Sequence, residues 1–153
     1  MPKHVLSHNE IDEKGQIIAI HCVLEAFDLA FKINSSLGLR FIRSRSDITF
    51  KNNQEKYMVY KNTVNGNGLV FWLYSNSSLI SEVNKNPKLL FKEQAFERSL
   101  IPEFSKADYI LKIIGENSYC NKFIKSLLLL PEILSCYIIP ENKIKSKHNL
   151  IFD

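Results

Sequence analysis

The spacing of apolar and polar positions in the first part of the chain predicts a strand followed by a helix. The mainly apolar run at residues 16–20 predicts a strand covered on both faces. Residues 23–37 have a broad apolar arc and a narrow polar face, which predicts a helix packed deeply against a sheet. We expect Phe27 to be nearly fully buried in this helix. Gly38 is placed to end it in a left-handed cap.

Three short segments predict strands in the middle of the chain. Residues 39–43 alternate partly between apolar and polar positions, and residues 57–60 and 69–74 are richer in β-branched and aromatic residues. The Asn-Gly-Asn-Gly sequence at residues 65–68 supplies the positive φ angles of a tight turn, so the last two strands are expected to be antiparallel neighbours. Residues 75–97 are polar and have no clean period, which predicts a long mobile connection.

The second half of the chain predicts a strand, a helix and another strand. The strands are Tyr109–Ile114 and Ile133–Ile139, and residues 120–130 form an amphipathic helix in which Phe123 should be nearly fully buried. Together with the first half, this order predicts an α+β fold with two helices packed on a mainly antiparallel sheet. The element order is that of a ferredoxin-like or ACT-like fold with extra strands.

Length and composition favour one globular domain over residues 1–153, with a frayed N-terminus at residues 1–15. The chain is 45% hydrophobic and 24% charged, as is usual for a globular protein. Cys22, Cys120 and Cys136 lie far apart in apolar segments, which predicts reduced core cysteines. We see no signal-peptide pattern, and the longest apolar run is too short to cross a bilayer. We therefore expect a cytoplasmic protein that does not enter a membrane.

A family signature is suggested by the nine residues Ile101-Pro102-Glu103-Phe104-Ser105-Lys106-Ala107-Asp108-Tyr109. They resemble the motif of the IPExxxVDY family, with Ala107 standing where that motif has Val. Ile20-His21 and the Lys-x-Lys-x-Asn-Leu-Ile-Phe run at residues 145–152 are also similar to segments of that family. The resemblance covers nearly the whole chain, and it implies no particular activity.

The polar residues of this signature have a structural and a chemical interpretation. Pro102 has no N–H, so it is expected at the beginning or the edge of a strand. Glu103 and Asp108 are predicted to hold the bend before Tyr109 through backbone N–H groups or a nearby cation. The alternative is a pair of carboxylates for acid-base chemistry or a metal ion. Because no local partner supports that alternative, we predict no catalytic residue, no metal and no cofactor.

His21 beside Cys22 suggests a nucleophile or metal site, but neighbouring residues in a strand point to opposite faces of the sheet. We therefore expect a partly buried structural histidine at this position. The sequence also lacks a dinucleotide fingerprint, a phosphate loop and a hydrolase nucleophile motif. These absences argue against the common nucleotide-dependent and hydrolase classes.

Basic residues form two clusters in a chain whose net charge is +4. The clusters consist of Arg40, Arg43 and Arg45, and of Lys143, Lys145 and Lys147. If they lay on one surface they would suit RNA phosphates, whereas the ordinary interpretation is a solvated face on which Arg45 pairs with Asp47.

The sequence thus leaves three hypotheses for function. The first is a non-catalytic binding or scaffold protein whose partner is another protein or a second copy. The second is an RNA-associated accessory protein that uses the two basic clusters. The third is an ACT-like module that binds a small effector near Gly115 and Asn117.

Overall fold

The computed structural model describes residues 15–50, 55–63, 69–80, 98–115 and 117–150. Within these ranges the chain forms two α-helices, α1 (Ala26–Leu37) and α2 (Asn117–Leu128). The strands in chain order are β1 (Gly15–Cys22), β2 (Ile42–Arg43), β3 (Ile48–Phe50), β4 (Glu55–Tyr57), β5 (Val59–Thr63), β6 (Val70–Ser75), β7 (Leu79–Ile80), β8 (Tyr109–Ile114) and β9 (Ile133–Ile139). None of the helices in these ranges is long and apolar enough to cross a membrane.

The main sheet has six strands in the order β2-β5-β6-β8-β1-β9, and all described pairs are antiparallel. α2 connects β8 to β9, and these two strands lie on either side of β1. A second sheet has the order β3-β4-β7. The predicted α+β class, with two helices and a mainly antiparallel sheet, is confirmed. The ferredoxin-like or ACT-like order stays a prediction in detail, since β5 and β2 extend the sheet beyond β6.

The main sheet is covered on both faces, because successive side chains of a strand point to opposite sides. Ile18 and Ile20 point to the face that carries both helices, where Leu29 and Phe123 are buried. Ile17 and Ala19 point to the other face, which the second sheet, residues 100–108 and residues 144–150 cover. The alternation in β1 therefore contributes to two separate cores, as the prediction of a doubly covered strand required.

α1 differs from the sequence prediction in its beginning and in the face that it buries. The helix begins at Ala26, and Ala26, Leu29, Ala30 and Ile33 are its buried residues. Phe27 is largely exposed, so the prediction of its burial was wrong. The apolar arc is wider than the contact with the sheet, and the small residues Ala26 and Ala30 belong to the buried part of it. Gly38 adopts φ 67° and donates its N–H to Asn34 O at 3.1 Å, which confirms the predicted cap.

The middle of the chain departs most from the prediction. Only Ile42–Arg43 of the predicted strand at residues 39–43 pairs with a neighbour. The predicted strand at residues 57–60 is divided at Met58, so that β4 belongs to the small sheet and β5 to the main one. The antiparallel pairing of β5 with β6 is confirmed, while the turn at residues 65–68 lies outside the described residues.

The predicted mobile connection and frayed terminus fall only partly on described residues. Ser75 belongs to β6 and Leu79–Ile80 forms β7, so regular structure continues into the segment predicted as a connection. Residues 81–97 lie outside the described ranges, as do residues 1–14. Gly15 already belongs to β1. In the second half, β8 and β9 have the predicted bounds, and Phe123 of α2 is buried as expected.

Candidate functional site

The signature loop, defined here as residues 100–108, covers the main sheet on the face opposite the helices. Leu100, Ile101 and Ala107 are buried in that core. Pro102 occupies the first position of a short 3₁₀ turn, Pro102–Phe104, and not the beginning of a strand as predicted. The first residue of such a turn does not need its N–H, so this position tolerates proline for the same physical reason.

Asn76 holds this loop in place from the end of β6. Its side-chain Nδ2 donates to Phe104 O at 2.9 Å and to Ala107 O at 2.8 Å, and its Oδ1 accepts from Ile101 N at 2.9 Å. Its backbone N–H donates to Asp108 O, and its carbonyl accepts from Leu100 N. Asn76 is completely buried. Sequence reasoning missed it, because the only local signal was an Asn directly after a strand.

Glu103 connects the signature loop to the C-terminal segment, which we define as residues 140–150. Its carboxylate accepts from Ser146 Oγ at 2.7 Å and from Ser146 N at 3.3 Å. Asn149 Nδ2 also donates to Leu100 O at 2.9 Å. Glu103 was predicted to accept a hydrogen bond from a backbone N–H. The bond that it accepts joins the loop to the C-terminal segment and not to the strand that begins at Tyr109.

Asp108 and Tyr109 connect the signature to the end of β1. Asp108 Oδ2 accepts a hydrogen bond from Cys22 N at 2.9 Å, which is the kind of backbone N–H contact predicted for it. Tyr109 OH donates to Leu24 O at 2.5 Å. The carboxylate of Asp108 thus supplies the acceptor for Cys22 N where β1 leaves the sheet towards α1. The structure gives Glu103 and Asp108 different partners and does not present them as an acid-base pair.

The three segments that resemble the IPExxxVDY family therefore meet in space. His21, in the first segment, contacts Tyr137 of β9. The two rings stack with their centres 5.7 Å apart, and His21 Nε2 lies 3.2 Å from Tyr137 Oη. Tyr137 also lies 6.4 Å from the ring of Phe104 in the signature. Cys22 belongs to the core on the helix side. The predicted separation of His21 and Cys22 on opposite faces is confirmed.

A cleft of about 700 Å³ opens beside the signature, where β1 passes into α1. Its apolar lining includes Val23, Phe27, Met58 and Leu134, and its polar lining includes Glu25, Ser75, Ser77, Ser78 and Asp108. None of the described residues that line it is a Lys, Arg or His. The cleft can accept an apolar group together with a hydrogen-bond donor or a cation, whereas a phosphate would meet carboxylates.

The reactive side chains of the cleft are held in their protonated forms. Burial raises the pKa of the Cys22 thiol, a backbone hydrogen bond with Leu24 opposes this effect, and the nearby Asp108 carboxylate raises the pKa further. Burial also raises the pKa of the Tyr109 hydroxyl, with Cys22 and Asp108 acting in the same direction. A protonated thiol is a poor nucleophile. Among the described residues no group of three or more His, Cys, Asp or Glu side chains is arranged to hold a metal ion.

Large apolar side chains are exposed just before α1 and along its outer side, beginning at the cleft. We call Val23, Phe27 and Phe31 the α1 stripe; their exposed fractions are 77%, 59% and 71%. Residues four apart are neighbours on a helix, so Phe27 and Phe31 form one surface. Leu134, which is also exposed, joins Val23 and Phe27 in the lining of the cleft. Contiguous exposed apolar surface of this kind marks interaction sites.

The two predicted basic clusters lie in different parts of the molecule. Arg43 forms an ion pair with Asp47, the residue predicted to pair with Arg45, and its guanidinium lies 5.6 Å from the ring of Tyr60 on the helix side. Arg40 precedes β2 in the sequence and Arg45 follows it, and both residues are exposed. Lys143, Lys145 and Lys147 belong to the C-terminal segment, whose Ile144 and Leu150 pack on the opposite face. The structure does not bring the clusters together as one continuous strip.

The pocket predicted near Gly115 and Asn117 is not the cleft described above, which lies at the other end of β8.

The chain was also compared with known proteins. Protein-family models, curated proteins and solved structures gave no match. The likeness to the IPExxxVDY family stays a prediction that depends on the motif residues themselves.

Proposed function

We propose that this protein acts by binding another protein and not by catalysis. The observation that supports the proposal is the α1 stripe, three large apolar side chains exposed next to a cleft. Burying one such side chain in an interface yields about 1.5–3 kcal/mol. The raised pKa of Cys22 also favours binding over nucleophilic chemistry at this place.

The partner in this proposal presents an apolar segment that carries a basic group. Its apolar side chains cover Phe27 and Phe31, and its basic group enters the cleft near Glu25 and Asp108. The cleft lining is acidic although the chain as a whole carries a net charge of +4, so the cleft selects against nucleic-acid phosphates. We place this interaction in the cytoplasm, in keeping with the reduced cysteines expected from the sequence.

The alternative proposal is RNA contact through Arg40, Arg43 and Arg45 or through Lys143, Lys145 and Lys147. These clusters carry positive charge that phosphates require. The same experiment can test both proposals, because ribonuclease removes RNA and leaves protein contacts in place.

The test is affinity purification of the tagged full-length protein from its native cells, with and without ribonuclease. The variants are Phe27→Ser/Phe31→Ser and the control Ile42→Ser, which changes another exposed apolar residue on β2. We expect partner proteins to be recovered with the unchanged chain and with the control variant, whether or not ribonuclease is added. The double variant should lower their recovery at least about tenfold, since truncating interface anchors costs about 1–3 kcal/mol each.

Equal recovery with the double variant would exclude the α1 stripe as the binding surface. Loss of all partners after ribonuclease treatment would favour the RNA proposal. Thermal unfolding of each variant serves as the folding control, because both phenylalanines are largely exposed and their replacement should leave the fold intact.

A further inference from the structure

β9 forms one outer edge of the main sheet, and no described strand pairs with its outer side. Its sequence, ILSCYII, contains no charged residue and no proline. Monomeric proteins usually protect such an edge with lysines, prolines or very short strands. A seven-residue apolar edge without these features is suited to pairing with another strand.

The hydrogen bonds of neighbouring strands identify which backbone groups of β9 point outward. Ile20 O accepts from Asp108 N, so the polar backbone groups of Ile20 face β8. Successive residues alternate, and those of Ala19 therefore face β9. Ala19 is paired with Tyr137, so Tyr137 bonds inward to β1. The N–H and C=O groups of Cys136 and Ile138 consequently point to the open edge.

The side chains along this edge are also exposed and apolar. Leu134, Tyr137 and Ile138 are exposed. Leu134 has no partner in the β1 register, which pairs His21 with Ser135 and Cys22 with Ile133, so it is the extra residue of a β-bulge. The regular part of the open edge is thus the stretch around Tyr137.

Different charged residues flank the two ends of β9. Glu132 precedes the strand, and its Oε1 lies 3.1 Å from Lys32 Nζ, while its buried Oε2 has no hydrogen-bond partner in the described part of the chain. Lys143 and Lys145 follow the strand, together with Glu141, which pairs with Lys147 at 3.6 Å. Antiparallel pairing of β9 with itself would bring the Glu132 end of each copy towards the end of the other copy that Lys143 and Lys145 follow.

We propose that a second copy of this chain pairs with β9 antiparallel about a twofold axis, which joins the two main sheets into one. Cys136 of each copy forms a hydrogen-bonded pair with Ile138 of the other, and Tyr137 lies at the axis opposite its own copy. This register uses the outward backbone groups and leaves the bulged Leu134 outside the pairing. The axis is perpendicular to the sheet, so both helical layers lie on the same side.

The inference concerns a different surface from the α1 stripe, so the two proposals can fail separately. The first test is the mass in solution by sedimentation equilibrium. The unchanged chain should have twice its mass of 17.7 kDa. Ile138→Lys places a charge on the proposed edge and should give a monomer with unchanged circular dichroism. Ile42→Lys makes the same change on β2, the opposite edge of the sheet, and should remain dimeric.

The second test uses the position of Tyr137 and does not depend on the Ile138 variant folding. Opposed residues of a non-hydrogen-bonded antiparallel pair have Cα atoms about 4.5 Å apart, close enough for a disulfide. Tyr137→Cys should form a covalent dimer under mild oxidation, and Ile42→Cys should not. A monomeric unchanged chain, a dimeric Ile138→Lys, a monomeric Ile42→Lys or the absence of the Tyr137→Cys cross-link would each overturn the proposal in this register.

Discussion

At the scale of single residues, Asn76 is the most demanding position of the fold. A primary amide can donate two hydrogen bonds and accept two, and Asn76 uses both donors on carbonyls of the signature loop and one acceptor site on Ile101 N. Asp could supply the acceptor but not the two donors, and a hydroxyl is too short to span these groups. The shape of the loop therefore depends on the amide of one residue that lies outside it.

Asn76→Ala should destabilise the fold strongly, because Ile101 N and Ala107 O would lose this partner, while Phe104 O would keep its hydrogen bond from Ala107 N. Each buried group without a partner costs about 1–3 kcal/mol, so we expect a loss of about 2 kcal/mol or more in urea denaturation. The control is Asn142→Ala, in the exposed turn Glu141–Lys143, which should change the unfolding free energy by about 0.5 kcal/mol or less. A small effect of Asn76→Ala would mean that water or a rearranged loop replaces these bonds.

At the scale of elements, α1 combines a structural and an exposed apolar face. Leu29 and Ile33 point into the core, while Phe27 and Phe31 point outward. A helix with apolar residues over most of its circumference contains no local information about which part meets the sheet. The partner surface, here the sheet face with Ile18 and Ile20, decides it.

Two substitutions in α1 should separate its faces. Leu29→Ala removes a fully buried side chain and should cost about 2–5 kcal/mol through lost burial and a cavity. Phe27→Ala removes a larger side chain that is mostly in water, and should cost about 1 kcal/mol or less. Chemical denaturation of both variants checks this. The reverse order of the two effects would show that the helix is rotated from the orientation described.

At the scale of the whole molecule, both cores contain ionisable groups that are protonated in the folded state. Burial raises the pKa of Cys136 to about 12 in the core on the helix side. Burial, followed by the Glu55 carboxylate and opposed by Arg98, raises the pKa of Tyr57 to about 12 in the other core. In the unfolded chain the pKa of Cys136 is close to its ordinary value of 9.0, and the pKa of Tyr57 is close to 10.0.

The protein should therefore lose stability in alkaline solution. Below about pH 9 both states keep these protons and the contribution to stability is complete. As the pH rises towards about 12, the unfolded state binds fewer protons than the folded state, so the free energy of unfolding falls. The melting temperature measured across this range should decrease, and less steeply for Cys136→Ala. A melting temperature that stays constant would contradict the assigned burial.

Several features of this protein were determined locally by the sequence. The mainly apolar run of β1, the strands β8 and β9, the buried position of Phe123 and the cap at Gly38 each follow from periodicity or turn chemistry within a few residues. The composition and element order were enough for the α+β class. A hydrogen bond from a backbone N–H to Asp108 could also be predicted, because Asp side chains in turns commonly accept such bonds.

Only the tertiary structure decided the features that depend on residues distant in the chain. The division of a predicted strand at Met58 into two sheets depends on which strand each half finds as a neighbour. The bond between Glu103 and Ser146, and those of Asn76 to the signature loop, join positions that no local pattern relates. The exposure of Phe27 follows from the approach of α1 to the sheet. These outcomes arise from packing between elements, because a short apolar or polar segment is compatible with several neighbours until the whole chain has folded around it.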